Sequence, residues 1–182
     1  YENGTPSFLG GDDQFVEYEM MKKSKGVWVK EIQGELEGKY YTYVVSNFLY
    51  KNKEVVDPYA KSAGINGLRG MVVDFSKTNP IGWDDVEIIK TNYNNLTVYE
   101  SHIADLTNSD TWNGNKVNDR LFNGFYEDST TYNGVSTGFN HIKELGVNAV
   151  QILPFYDQYN DELSNTFNWG YNPQNYNVLE GQ

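Results

Sequence analysis

The sequence predicts a chain in two parts: a first half of short strands and turns, and a second half that contains a βαβ unit. In the first half, β-branched and aromatic runs alternate with glycine-containing turns, which is typical of strands. In the second half, two apolar strand candidates flank a segment whose apolar residues recur at helical spacing. A strand–helix–strand order implies a parallel pair with a right-handed connection.

The strands of the first half are predicted in chain order. Residues 27–32 form a short strand-like run, and an aromatic and β-branched run follows at residues 40–45, after a turn with two glycines. This order predicts a hairpin in which the two runs pair. A further apolar run covers residues 70–75. The next stretch, residues 76–83 (SKTNPIGW), contains Asn-Pro and Gly, so it predicts a loop and a domain edge.

The helix of the second half is predicted within residues 136–155 (STGFNHIKELGVNAVQILPF). Ser136 or Thr137 can cap its start, and Gly146 stands where a left-handed residue would end it. The apolar face consists of three residues at helical spacing: Phe139, Ile142 and Leu145. We therefore expect one amphipathic helix between the two strands.

The two strands of this unit are predicted at the start of residues 95–103 (NLTVYESHI) and at residues 147–153, which Pro154 closes. Two parallel strands alone would leave exposed edges, and an eight-stranded α/β barrel needs roughly 250 residues. Residues 84–182 are too few for such a barrel. We therefore expect the remaining strands of this sheet to lie outside the chain.

Composition excludes several classes of function. The chain has 14 Lys and Arg residues against 25 Asp and Glu residues, a net charge of −11 and no long basic run. Neither nucleic acid nor an anionic membrane surface is therefore an expected partner. The absence of cysteine excludes disulfides, thiol nucleophiles and thiolate metal sites. No apolar run reaches membrane-spanning length. A secreted or cell-surface bacterial location and a cytoplasmic one both stay open.

The 15 tyrosines, together with abundant asparagine and glycine, are compatible with carbohydrate binding. The faces of a sugar ring are apolar and its edges are polar, so aromatic rings beside amide and carboxylate groups suit it. Tyrosine and asparagine also populate strands and turns for purely structural reasons. Composition alone leaves both interpretations open.

Four stretches, in order, resemble type I pullulanases, the starch-debranching members of the alpha-amylase superfamily. Residues 55–83 are similar to the family's linker region, and residues 97–107 (TVYESHIADLT) to the first strand of its catalytic barrel. Residues 141–157 (HIKELGVNAVQILPFYD) resemble the first helix and second strand. Residues 167–178 (FNWGYNPQNYNV) resemble the aromatic motif in the loop after that strand. Residues 18–45 look like later strands of the β-sandwich module that precedes the barrel.

The resemblance implies a fold class and two domains. Residues 1–83 would be a partial β-sandwich, incomplete and immunoglobulin-like, of the carbohydrate-binding family 48 type. Residues 84–182 would be the N-terminal segment of a TIM (β/α)8 barrel, comprising its first βαβ part.

The resemblance further implies hydrolysis of α-1,6-glucosidic bonds in pullulan, branched starch or glycogen by a retaining mechanism. In this superfamily the nucleophilic Asp, the acid/base Glu and a further Asp come from later barrel strands. The chain alone is therefore predicted to be inactive, with no catalytic residue, and the remaining C-terminal part is expected as a second chain or a missing segment. The alternatives are a non-catalytic carbohydrate-binding module fragment and the same portion of an isoamylase-like or glycogen-debranching enzyme.

The resemblance also implies substrate-binding residues. Tyr171 stands where a tyrosine stacks on the glucose ring next to the scissile bond. Asn168 and Trp169 would orient that tyrosine, and an aromatic cluster that only closes the loop is the alternative for the same residues. Gly170 allows close backbone approach. His102, at the end of the first barrel strand, is predicted either as a hydrogen-bonded barrel residue or as a contact of the substrate-binding loops.

Three residues depart from the family pattern. Phe167 stands where Tyr is usual, Asn172 where Asp is usual, and Ala104 where Arg is common. The loss of a hydroxyl at Phe167 is expected to leave the packing intact. If the Asp and the Arg pair in relatives, the pair is absent here as a unit, which bears on substrate specificity.

No cofactor or metal site is predicted. His102 and His141 share no short spacing, so they do not form a ligand pair. Calcium ligation by Asp, Asn and backbone oxygens in residues 105–133 stays open because calcium occurs in this superfamily, although the stretch has no EF-hand-like spacing. Asp161 and Glu162 are expected to be solvated loop charges.

Overall fold

The computed structural model describes residues 1–87, 90–164 and 166–181. These residues form two compact units. Unit 1 comprises Tyr1–Asn79 together with Gln174–Gly181, and unit 2 comprises Pro80–Pro173. The sheets have two strands each and are mostly antiparallel. No helix in the described ranges is long and apolar enough to cross a bilayer.

The secondary structure consists of short elements. The strands are β1 (Met21–Lys22), β2 (Trp28–Val29), β3 (Tyr40–Tyr41), β4 (Tyr43–Val45), β5 (Lys53–Val55), β6 (Gly70–Met71), β7 (Val98–Ser101), β8 (Thr131–Tyr132), β9 (Val135–Ser136), β10 (Ala149–Ile152), β11 (Tyr156–Gln158) and β12 (Pro173–Leu179). The α-helices are α1 (Ile103–Thr107), α2 (Phe122–Phe125) and α3 (Gly138–Glu144). Short 3-10 turns connect many of them.

The predicted hairpin between residues 27–32 and 40–45 is wrong. β2 pairs antiparallel with β1, whereas the 40–45 run is divided between two partners, because β3 pairs with β6 and β4 with β5. Thr42 separates β3 from β4, and its hydroxyl donates to the Glu54 carboxylate at 2.7 Å. The partner of β3 is distant in sequence, so a local turn signal could not identify it.

Buried Arg69 ties the first residues of the chain to the rest of unit 1. The residue is 4% exposed, and its guanidinium donates to the carbonyl oxygens of Asn3 at 2.7 Å and Asp12 at 2.8 Å. The same group forms an ion pair with Asp13 and lies 3.7 Å from the centroid of the Tyr1 ring. These partners satisfy a charge that would be costly to bury alone.

Residues near the end of the chain complete unit 1. Gln174 Nε2 donates to the carbonyl oxygen of Asn66 at 2.7 Å, and Asn175 Nδ2 donates to that of Gly67 at 3.0 Å. Each bond joins residues 108 positions apart. Asn175 is 9% exposed, so its amide is satisfied by the protein rather than by bulk water.

Unit 2 contains the predicted strand–helix–strand arrangement. β7 and β10 pair in parallel along all four residues of each strand, and α3 precedes β10. Gly146 has φ +70 just after α3, which confirms the helix end predicted there. Thr137 is the N-cap residue, but its side chain makes no capping bond. Its hydroxyl instead donates to the Trp112 carbonyl at 2.5 Å.

The three α-helices contribute to one apolar core of unit 2. α1 contacts both α2 and α3. The buried apolar residues of these helices, and of the segment between α1 and α2, are Ile103, Trp112, Phe125 and Ile142. This core supports the chain that leaves the end of β7, from which the candidate site is built.

Candidate functional site

The loop at residues 167–172 lies directly against the chain that leaves β10. Gly170 is buried and has φ +84, and a Cβ at this position would stand 2.1 Å from the carbonyl oxygen of Pro154. Only glycine tolerates both the left-handed backbone and this close approach. Since Pro154 follows the last residue of β10 closely, the contact holds the aromatic loop at the carboxyl end of the parallel strand pair.

His102 anchors the same loop from the end of β7. Its Nε2 lies 2.9 Å from the carbonyl oxygen of Asn168. Its Nδ1 accepts a hydrogen bond from the backbone N–H of Asp105 at 3.4 Å and caps α1. A carbonyl can only accept and a backbone N–H can only donate, so the two contacts assign the ring hydrogen to Nε2. The structure thus shows His102 in contact with the loop.

Asn168 shapes the loop through two of its own oxygens. Its carbonyl oxygen accepts from His102, and its side-chain Oδ1 accepts the backbone N–H of Gly170 at 3.1 Å. The second bond spans two residues, as in an Asx turn, and sets the chain direction into Tyr171. Asn168 is therefore placed to fix the backbone that carries the tyrosine.

The aromatic residues of the loop pack in sequence on His102. The Phe167 ring lies 4.9 Å from the His102 ring, at an interplanar angle of 46°. The Trp169 ring meets Phe167 edge to face, with the centroids 6.2 Å apart. Both contacts use the ring faces and edges of Phe167, so they do not depend on a tyrosine hydroxyl. Trp169 itself remains 65% exposed.

Tyr171 projects from this support with 69% of its surface exposed. It lines a cleft of about 260 Å³ together with residues 151–156 and Glu100. Glu100 and Gln151, which the sequence did not single out, bring a carboxylate and an amide to the cleft. An exposed aromatic ring beside such polar groups has the character of a binding site for a neutral sugar.

Asn172, one of the departures from the family pattern, closes the base of the loop. Its side-chain Nδ2 donates to the carbonyl oxygen of Tyr159 at 3.0 Å, and its own carbonyl oxygen accepts the Tyr159 N–H at 3.0 Å. The amide has a donor for this purpose, which a carboxylate at the same position would lack.

The acidic residues near the loop have structural contacts. Asp157 is 2% exposed within β11. The Asp161 carboxylate accepts the backbone N–H of Leu163 at 3.1 Å. In the ranges that the structure describes, no three His, Cys, Asp or Glu side chains are grouped so that they could hold a metal ion.

Comparison with known proteins gives this geometry a family context. No family model matches the chain. The chain is 30% identical over 168 residues to the pullulanase of Bacillus subtilis (strain 168), which covers 90% of this chain and 23% of that protein. The solved structure of a pullulanase from Bacillus acidopullulyticus matches 90% of this chain with a TM-score of 0.81 and 36% identity. This chain is related to the pullulanases.

The pullulanase relationship covers nearly all of this chain but little of its relatives. The chain spans 23% of the Bacillus subtilis protein and 20% of the Bacillus acidopullulyticus structure. A pullulanase from Anoxybacillus sp. LM18-11, solved as a complex with maltotetraose, matches with a TM-score of 0.79 and 34% identity. That match covers 96% of this chain and 25% of the solved one.

Proposed function

We propose that the chain forms part of a debranching glycoside hydrolase that cleaves α-1,6-glucosidic bonds in pullulan and branched starch. The observation that carries the proposal is the pullulanase similarity, which extends over 90% of the chain in both sequence and structure. The whole enzyme would use a retaining mechanism, in which a nucleophile and an acid/base carboxyl stand about 5 Å apart. Both carboxyls lie outside this chain in the proposal.

The proposed contribution of this chain is substrate binding. Tyr171 offers the apolar face of its ring to a glucose unit, whose hydroxyls stay free for hydrogen bonds. Asn168 and His102 fix the loop backbone through the bonds described above, and Trp169 extends the aromatic surface beside Tyr171. An α-glucan ligand is supported by the maltotetraose that a related pullulanase binds.

The proposal includes a finer fold assignment. Residues 1–83 would be a partial β-sandwich of the carbohydrate-binding family 48 type, which the small antiparallel sheets of unit 1 support. Residues 84–182 would begin a (β/α)8 barrel, which the parallel pairing of β7 with β10 supports. The loop at the carboxyl end of these strands is where such barrels bind substrate.

Intact-mass spectrometry combined with native gel analysis of the purified protein tests the proposal. We expect the 20.9 kDa chain to be accompanied by, or continuous with, a polypeptide that supplies the carboxyls, and this material should release reducing ends from pullulan. The isolated 182-residue chain should release none. Pullulan cleavage by the isolated chain would overturn the placement of the carboxyls. Inactivity of the complete material on pullulan would overturn the debranching function.

A further inference from the structure

Asn172 and Tyr159 hold together the two ends of the loop that carries Tyr171. The Asn172 Nδ2 donates to the carbonyl oxygen of Tyr159 at 3.0 Å, and the backbone N–H of Tyr159 donates to the carbonyl oxygen of Asn172 at 3.0 Å. These two bonds join residues that are 13 positions apart. A loop whose ends are held together has less conformational freedom than an open one. Asn172 therefore restricts the loop at its base.

Only one of these two bonds depends on the side chain at position 172. Any residue there keeps the backbone carbonyl that accepts from Tyr159, whereas the bond to the Tyr159 carbonyl oxygen needs a side-chain donor. Aspartate, which is usual at this position in the family pattern, has the same shape as asparagine but only accepts hydrogen bonds when ionised. A carboxylate would place one acceptor against another. The side-chain amide is therefore the group that this contact requires.

The backbone is held on both sides of Tyr171. On the N-terminal side, the backbone N–H of Gly170 donates to Oδ1 of Asn168 at 3.1 Å. On the C-terminal side, Asn172 makes the contacts described above and also precedes Pro173, and a residue before proline is restricted to extended conformations. A tyrosine ring is joined to the backbone through only two torsions, each with a few preferred values. The direction of the Tyr171 ring therefore depends on the residues that fix its backbone.

We propose that Asn172 is a positioning residue, whose amide holds the backbone of Tyr171 in the conformation that stacks on the sugar ring of a neutral α-glucan. The inference rests on the proposed sugar-binding role of Tyr171 and adds a residue that orients it. The apparent affinity for a ligand falls in proportion to the fraction of the protein that has the binding conformation. Loss of the Asn172 amide should therefore weaken sugar binding without removing any group that touches the sugar.

Calorimetric titration with maltotriose tests this role, using the purified protein with any polypeptide that accompanies it. At about pH 7, Asn172→Asp should weaken maltotriose binding about fivefold, because a hydrogen bond is lost and two acceptors face each other. Asn172→Leu loses the bond without this repulsion and should weaken binding less. Asn94→Asp, at an exposed asparagine of unit 2, is the matched control and should bind like the wild type.

The pH dependence of the Asn172→Asp variant distinguishes a hydrogen-bond donor from a residue that only fills space. Protonation gives the new carboxyl a donor, and a free aspartate titrates at about pH 3.9. The carbonyl acceptor favours the protonated form and should raise this pKa. The ratio of wild-type to variant affinity should therefore fall from about fivefold at about pH 7 towards one at about pH 4. A ratio that does not change with pH would overturn the inference.

Hydrogen–deuterium exchange without ligand tests the same contact independently of sugar binding. Peptides that cover residues 156–160 and 167–172 should exchange about fivefold faster in Asn172→Asp than in the wild type. Tyr171→Ala should leave the exchange of residues 156–160 unchanged, because it keeps both bonds of Asn172. If Asn172→Asp fails to fold, the wild type still decides, since a Tyr159 amide that exchanges as in an unfolded chain would overturn the inference.

Tyr171→Ala separates this inference from the proposed function. If Tyr171→Ala abolishes maltotriose binding but Asn172→Asp binds like the wild type at about pH 7, the role of Asn172 fails and the sugar site stands. If the wild type does not bind maltotriose, or Tyr171→Ala leaves binding unchanged, the proposed site fails and this inference fails with it. Loss of binding in Tyr171→Ala, together with weakened binding in Asn172→Asp that recovers at low pH, supports both.

Discussion

The Nε2 nitrogen of His102 and the carbonyl oxygen of Asn168 lie 2.9 Å apart, and this hydrogen bond joins residues 66 positions apart. It connects the residue that follows β7 with the loop that carries Tyr171. The conformation of the aromatic loop therefore depends on a side chain outside it, on the first strand of the parallel pair.

Replacing His102 should weaken the attachment of the aromatic loop. The size of the effect should depend on whether the new side chain can replace the Nδ1 or the Nε2 hydrogen bond of the ring. The shorter amide of His102→Asn can imitate Nδ1 and keep the α1 cap, whereas His102→Gln can imitate the Nε2 donor. Hydrogen–deuterium exchange of peptides that cover residues 167–172 should be about fivefold faster in His102→Asn, because one hydrogen bond contributes about 1 kcal/mol. His102→Gln should show a smaller change. Equal exchange in both variants would contradict the anchoring role.

Gly170→Ala should destabilise the chain more than an alanine at a glycine with the same backbone conformation. Gly170 has φ +84 and a Cβ would collide with Pro154, whereas Gly82 has φ +82 and an added Cβ would meet nothing within 4 Å. Gly82→Ala should cost about 1 kcal/mol of unfolding free energy for the left-handed backbone alone. Gly170→Ala should cost about 3 kcal/mol or more.

Urea denaturation of both glycine variants measures this difference. The denaturation midpoint of Gly170→Ala should fall well below that of Gly82→Ala, with similar slopes. Equal midpoints would mean that the loop does not rest on Pro154 in solution.

The free energy of unfolding should decrease at alkaline pH because the pKa of Tyr41 is raised in the folded chain. Burial, and then the hydrogen bond that its hydroxyl donates to Asp57 at 2.8 Å, raise the pKa of Tyr41 above its ordinary value of 10.0. The folded chain keeps a proton that the unfolded chain releases above about pH 10. This contribution to stability is therefore complete below about pH 10 and is lost as the pH rises towards the folded pKa.

The loss of stability at alkaline pH can be measured by urea denaturation at a series of pH values from about 8 to 11. This range spans the pKa of a free tyrosine, which is about 10. Tyr41→Phe should show a shallower decline of the unfolding free energy than the wild type. Tyr59→Phe, at a tyrosine that is 78% exposed, should decline like the wild type. Tyr1 and Tyr43 also have a raised pKa and should retain part of the slope in Tyr41→Phe. A wild-type slope in Tyr41→Phe would contradict the assignment.

Features encoded by neighbouring residues could be predicted from the sequence, whereas features that depend on residues far apart in the chain could not. The helix ending before Gly146 is encoded within a few residues, so its spacing and its glycine sufficed. The predicted pairing of the 40–45 run was wrong because β3 pairs with β6, a strand that comes close to it only in the folded chain. The aromatic loop was predicted from its own residues. A contact between His102 and the loop was one of two interpretations that the family resemblance left open, and local pattern could not choose between them because the hydrogen bond joins residues 66 positions apart.

The hydrogen bonds from Gln174 and Asn175 to Asn66 and Gly67 bear on how the chain acquires its structure during synthesis. A ribosome that has released only the residues up to Asn79 has not yet made the donors of these two bonds. Unit 1 can therefore complete these two contacts only after the whole of unit 2 has been synthesised.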